Sequence, residues 1–116
     1  MTLEEMRQIV LSFPGVEEGS SYGRPAFLVN KKFFTRLRRE DGSLVLLDIS
    51  FDEREMLMEA EPKTFFITDH YKNSAAVLAR MERADAKTVE GMLARRWRKI
   101  APKKLVKDRD AAKASA

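Results

Sequence analysis

FPGVEEGSSYGRPAFLVNKKFFTRL, residues Phe13–Leu37, decides how the rest of the chain must fold. It holds three of the five glycines, two of the four prolines and four of the seven phenylalanines, so backbone punctuation and core-forming mass coincide here. Pro14-Gly15 ends any preceding helix, because proline supplies no helical donor and glycine accepts positive φ. Gly23-Arg24-Pro25 forces extended geometry, since the residue before proline is pushed out of the helical region. Between the two lies a polar turn containing Glu17-Glu18. The apolar runs that follow read as strands, Ala26–Val29 and Lys32–Arg39, joined by an Asn30-Lys31 turn.

Working outward, Thr2 and Glu5 form a capping box, and Met6, Ile9, Val10 and Phe13 recur at helical spacing. A third strand, Ser43–Ile49, follows Glu40-Asp41-Gly42. A three-residue loop with Gly42 left-handed puts Phe33, Thr35 and Leu37 on one inner face with Val45, Leu47, Ile49, Ala26 and Leu28. The opposite face then shows Phe27, Val29, Lys32, Phe34, Arg36, Arg38, Leu44 and Leu46. Ser50 and Glu53 cap a second helix over 50–61, with Met56, Leu57 and Ala60 as its stripe and Pro62 as its stop. Thr64–Tyr71 and Ala76–Met81 are strands by β-branched and aromatic content, with Lys72-Asn73-Ser74 between them. A last helix starts at Asp85, with Val89, Met92, Leu93, Trp97 and Ile100 on one side, and closes at Ala101-Pro102. Gly91 within it costs about 1 kcal/mol relative to Ala, a cost that close packing would offset.

The order α-βββ-α-ββ-α with hairpin connections predicts an α+β fold, a largely antiparallel five-stranded sheet with helices grouped against it. Residues 1–105 form one domain, and 106–116 (VKDRDAAKASA) are a flexible basic tail with little to bury. The chain has no cysteine, which excludes disulfides and thiolate chemistry. The acidic start MTLEEM and the lack of a long apolar run point to a cytoplasmic protein without a membrane role. The net charge of +4 conceals an asymmetry: residues 1–93 carry 13 Lys/Arg against 16 Asp/Glu, a balance of −3, and residues 94–116 carry 9 against 2, a balance of +7.

Five segments together resemble the MmcQ/YjbR family: Phe13-Pro14-Gly15-Val16-Glu17-Glu18, Tyr22-Gly23-Arg24-Pro25-Ala26-Phe27, Lys32-Phe33-Phe34, Phe65-Phe66-Ile67-Thr68-Asp69-His70-Tyr71, and Trp97 with Ala101-Pro102-Lys103-Lys104-Leu105. The resemblance implies a small α+β fold of the double-wing DNA-binding kind, and it brings no family-wide reaction or cofactor. Asn73-Ser74-Ala75-Ala76 depart from it, standing where a larger residue or proline is expected.

Candidate functional residues follow from charge and placement. Lys32, Arg36, Arg38 and Arg39 beside Phe27 and Phe34 offer cations to phosphates and aromatic faces to unstacked bases, or else form a solvated edge over buried phenylalanines. Arg95, Arg98, Lys99, Lys103 and Lys104 form a basic cluster offered to nucleic acid; a helix C-terminus by itself accounts for Arg98 and Lys99, but not for the run continuing beyond Pro102. The leading expectation is DNA binding through phosphates with little base readout. The alternative is a protein- or ligand-interaction module, with Tyr22, Arg24 and Phe27 lining a small pocket. No catalytic constellation, metal site or cofactor motif is found. His70, the only histidine, reads as partly buried and structural, and on a strand it faces away from Asp69.

Overall fold

The computed structural model describes residues 1–115. Among these, the chain runs α1 (Leu3–Leu11), β1 (Val16–Ser21), β2 (Arg24–Val29), β3 (Lys32–Thr35), β4 (Leu37–Arg38), β5 (Ser43–Leu47), α2 (Phe51–Ala60), β6 (Phe65–Phe66), β7 (Ala76–Arg80), α3 (Ala86–Ile100) and α4 (Lys103–Ser115). The fold is α+β and its strand pairings are antiparallel. Instead of one five-stranded sheet there are two, a meander β1-β2-β3 and a four-stranded sheet in the order β4-β5-β7-β6.

The division falls at Arg36, between β3 and β4. The run expected to be one strand, Lys32–Arg39, therefore serves both sheets. Val45 N–H still donates to Arg36 O at 3.1 Å, and the Thr35 hydroxyl donates to Val45 O at 2.7 Å, so the sheets stay stitched across the break. β1 is an addition. Residues 16–21, expected as a turn, pair along their whole length with β2 through a Tyr22-Gly23 reversal in which both φ angles are positive, 51° and 75°. Glu17-Glu18 accordingly sit on a strand. The next reversal, Asn30-Lys31, has the two residues expected, at φ 53° and 63°.

The β4–β5 register alters the expected division into faces: Ala26, Thr35, Val45 and Ile49, expected inside, are buried, but so are residues expected outside. Leu37 pairs with Leu44 and Arg38 with Ser43, which makes the connection four residues long, Arg39–Gly42. Gly42 is left-handed as anticipated, φ 67°, and its N–H donates to Arg38 O. A one-residue difference exchanges the sides of a strand. Phe27, Val29, Phe34, Leu44 and Leu46, placed outside by the three-residue loop, belong to the buried core. A bulge in β3, where Phe27 opposes Thr35 and Leu28 opposes Phe33, turns both Phe34 and Thr35 inward.

Helices complete that core. The Thr2–Glu5 capping box is formed by two reciprocal bonds of 3.1 Å, and α1 buries Met6 and Val10. α3 presents Val89, Met92, Leu93, Trp97 and Ile100, as its periodicity requires. Phe13 meets the Phe34 ring edge-on at 5.5 Å and lies 6.1 Å from Trp97, whose indole N–H donates to Pro14 O at 2.8 Å. Gly91 is on the exposed side of α3, where an added Cβ would meet nothing within 4 Å among the described residues, so close packing is not what keeps a glycine there.

Three further segments differ from expectation. Thr64–Tyr71 contributes only the two-residue β6, then forms a 3-10 turn over Asp69–Tyr71. In α2, Met56 is 67% exposed and the buried residue is Arg54. The Arg54 guanidinium enters the loop after the 3-10 turn and donates to the carbonyls of Tyr71, Lys72, Ser74 and Ala76 at 2.9–3.3 Å, an inside-out cap for a loop with few ladder bonds of its own. Finally, the segment beyond Leu105 is helical to Ser115. α4 docks through half-buried Leu105 and Val106, and Arg109 lies over the Phe13 and Trp97 rings at 4.7 and 5.3 Å. Ala116, the last residue of the expected tail, lies outside the described residues.

Candidate functional site

The β1–β2 hairpin, the β3–β4 junction and the 3-10 turn enclose an open cleft of about 620 Å³, lined by Ser21, Tyr22, Arg24, Arg36, Arg38, Glu40, His70 and Tyr71. A second depression of about 250 Å³ adjoins it, shares Arg24, Arg36 and Glu40, and adds Arg39. Each wall has a local cause. Tyr22 sits at the first position of a tight reversal, which throws its side chain clear of the protein, fully exposed. Arg36 occupies the break between sheets, and its side chain lines the cleft and reaches Glu40. Tyr71 is held by the loop that Arg54 clamps, and Arg38 lies over its ring at 5.8 Å.

At the floor three guanidinium groups converge on one carboxylate oxygen. Arg24 Nη1, Arg38 Nε and Arg36 Nη2 lie 2.8, 3.4 and 3.5 Å from Glu40 Oε2, and Arg38 Nη1 is also 3.4 Å from Asp41 Oδ2. The Arg36 and Arg38 side chains are only 13% exposed. Arg38 Nη1 is buried and makes no hydrogen bond among the described residues. The Glu40 carboxyl is held down at about 2, first by its own backbone N–H and then, against partial desolvation, by the charges of Arg36 and Arg24 and the Arg38 hydrogen bond. The floor therefore remains an ion cluster with one more cation than anion, counting Asp41.

The remaining cations of the sequence reading do not join it. Arg95 makes a two-pronged pair with Glu53 at 3.0–3.1 Å, and Arg98 does the same with Asp110 at 2.7 and 3.2 Å. Lys99 reaches Asp48 at 2.9 Å, and Arg96 bonds both Asp48 and Phe33 O. Burial raises the Asp48 carboxyl, yet the Lys99 and Arg96 hydrogen bonds outweigh it and hold the group below its usual range. This end of α3 lies by the Asn30 turn, where the Asn30 amide donates to Ile100 O. Arg24 stands at the other end of six-residue β2, ~20 Å away at about 3.3 Å per residue. Lys32, Lys103 and Lys104 are exposed, carry no ion pair among the described residues, and belong to that far end.

Phe27 does not line the cleft, being 7% exposed in the core, and with Phe34 fully buried neither aromatic is available to a base or to a docking partner. His70 is exposed on the cleft wall, not half-buried, and its ring meets Tyr71 edge-on at 4.7 Å. Because it stands on a 3-10 turn, the strand rule that separates it from Asp69 does not apply. Glu40, Tyr71 and Arg54 were not singled out by sequence. Only the clustering of Arg36, Arg38 and Arg39 around Glu40 hinted that a carboxylate would be enclosed. Among the described residues no group of three His, Asp or Glu side chains could hold a metal ion, and no helix is long and apolar enough to cross a membrane.

Comparison with protein families matches residues 11–99 to the family described as YjbR. The chain belongs to the YjbR family. The match takes in the whole cleft, from the β1–β2 hairpin to the 3-10 turn, and stops one residue short of the end of α3, so α4 lies beyond the YjbR portion. No curated protein and no solved structure matched the chain.

Proposed function

We propose that this YjbR-family chain is a DNA-binding protein that holds phosphates in the arginine cleft, with Tyr22 offered to a base. The observation that carries this reading is the convergence of Arg24, Arg36 and Arg38 beside a fully exposed tyrosine at a hairpin tip. Guanidinium forks suit phosphate oxygens, and an aromatic face suits any unstacked base, which gives binding with little sequence preference. Arg39, in the adjoining depression, extends the cationic track. Lys32, Lys103 and Lys104 are too distant to share a phosphate with the cleft and act, if engaged, as a separate contact along a longer strand. Arg95, Arg98 and Lys99 are assigned to fastening α3 and α4.

Fluorescence anisotropy with labelled single-stranded and duplex DNA across a salt series tests the proposal. The log–log slope on duplex is expected at about −0.9 per phosphate neutralised, and Arg24→Ala with Arg36→Ala should flatten it. Tyr22→Ala should weaken single-strand binding by about 1 kcal/mol or more. Absence of binding at low salt would remove the proposal. The cleft volume, within the range of small-molecule sites, favours a small anionic ligand as the second reading. Competition by a mononucleotide as effective as the oligonucleotide would select it.

A further inference from the structure

We infer that Glu40 is an internal stand-in for the ligand: its carboxylate occupies the place of a tetrahedral phosphate among Arg24, Arg36 and Arg38 and must swing out when a phosphate enters. This inference rests on the phosphate reading of the cleft and assigns its regulation to one side chain. Three donors reach the same oxygen, Oε2, and only Arg24 does so at a full hydrogen-bond distance, 2.8 Å; the others stand off at 3.4 and 3.5 Å. A planar carboxylate that meets all three through one oxygen cannot match guanidinium forks arriving from three directions, whereas a phosphate presents oxygens at tetrahedral corners. Arg38 Nη1, buried without a hydrogen bond among the described residues, is a donor that the carboxylate leaves unused.

Glu40 is also built to leave. It lies in the four-residue Arg39–Gly42 connection, its side chain is 43% exposed, and the open cleft stands directly beside it. Asp41, by contrast, is tied down, accepting from both the backbone N–H and the hydroxyl of Ser43 at 3.2 and 2.6 Å. The two neighbouring acids thus have different parts: Asp41 fixes the turn and Glu40 keeps three like charges together. Entry of phosphate exchanges one anion for another, so affinity is set by the difference between them.

The test compares the unmodified chain, Glu40→Gln and Glu59→Gln for binding to one labelled single-stranded DNA at fixed low salt. Glu59, exposed on α2, supplies the same change in net charge away from the cleft. Glu40→Gln should bind about fivefold tighter, the scale of one exposed ion pair, with Glu59→Gln close to the unmodified chain. Equal tightening in both variants would reduce the effect to net charge and overturn the inference. Binding by the unmodified chain with no gain in Glu40→Gln would overturn it too, leaving the phosphate reading in place, and silence from all three would remove both. Should Glu40→Gln fail to fold, the unmodified chain still decides: inorganic phosphate should shift the Glu40 carboxyl resonance together with the Arg24, Arg36 and Arg38 side-chain N–H signals. A Glu40 signal that stays in place while the arginine signals move would sink the stand-in role.

Discussion

Two groups of arginines in this domain make opposite uses of the same side chain. Arg54 and Arg96 are turned inward onto backbone carbonyls, four for Arg54 and Phe33 O for Arg96, and Arg95 and Arg98 each grip one carboxylate with two prongs. Apart from Arg54 Nε, which is buried without a hydrogen bond among the described residues, the donors that make these contacts have acceptors in place. In the cleft, Arg24, Arg36 and Arg38 crowd on a single oxygen and leave a donor over, beside open volume. A count of positive charges cannot separate the groups; what separates them is three guanidinium groups sharing one carboxylate oxygen beside an open cleft. Cationic residues mark a candidate ligand site where several share one acceptor beside open volume, not where their number is high.

The contrast breaks first at Arg54. Arg54→Met strands four carbonyls and should lower stability by about 3 kcal/mol in urea denaturation, because unsatisfied buried groups retain their desolvation cost. A loss below about 1 kcal/mol would show that the loop holds itself. Next come Arg95→Ala and Arg98→Ala, which remove surface pairs and should each cost under about 1 kcal/mol. Neither should change the salt slope of DNA binding, and a flattened slope in either would return α3 to the interface. The smallest effect concerns pH. A carboxyl held at about 2 in the fold, against an ordinary 4.5, stabilises above the ordinary value and loses that contribution as pH falls toward about 2. Thermal unfolding of the unmodified chain should therefore show a Glu40-dependent decline across this acid window, shallow because solvent screens an exposed carboxylate, and Glu40→Gln should remove it.

Much of the helical framework was legible. Thr2 with Glu5 and the 89-92-93-97-100 stripe state their helices directly, since capping and a 3.6 period are local properties. β1 escaped notice because Val16–Ser21 is an almost wholly exposed strand, so no apolar alternation marks it. The face error has another origin: a loop longer by one residue and a bulge at Phe34 both alter register, and neither leaves a trace in composition. Thr64–Tyr71 has strand-like residues, yet only Phe65 and Phe66 join the β7 ladder before the chain turns into the 3-10 segment Asp69–Tyr71. In the candidate site, Tyr22, Arg24, Arg36, Arg38 and Arg39 were named from sequence, but as parts of two separate surfaces. Their common cleft depends on the Arg24–Glu40, Arg38–Tyr71 and Arg54–Tyr71 contacts, between residues 16 or more apart in the chain, which no local pattern encodes.

The break at Arg36 has a bearing on how the domain comes apart. One uninterrupted length of backbone belongs to both ladders, so neither can slide, fray or re-pair without dragging its neighbour out of alignment. Native-state hydrogen exchange should find the amides of Phe34 and Val45 opening together, as one cooperative unit and not as two sheets that melt in turn.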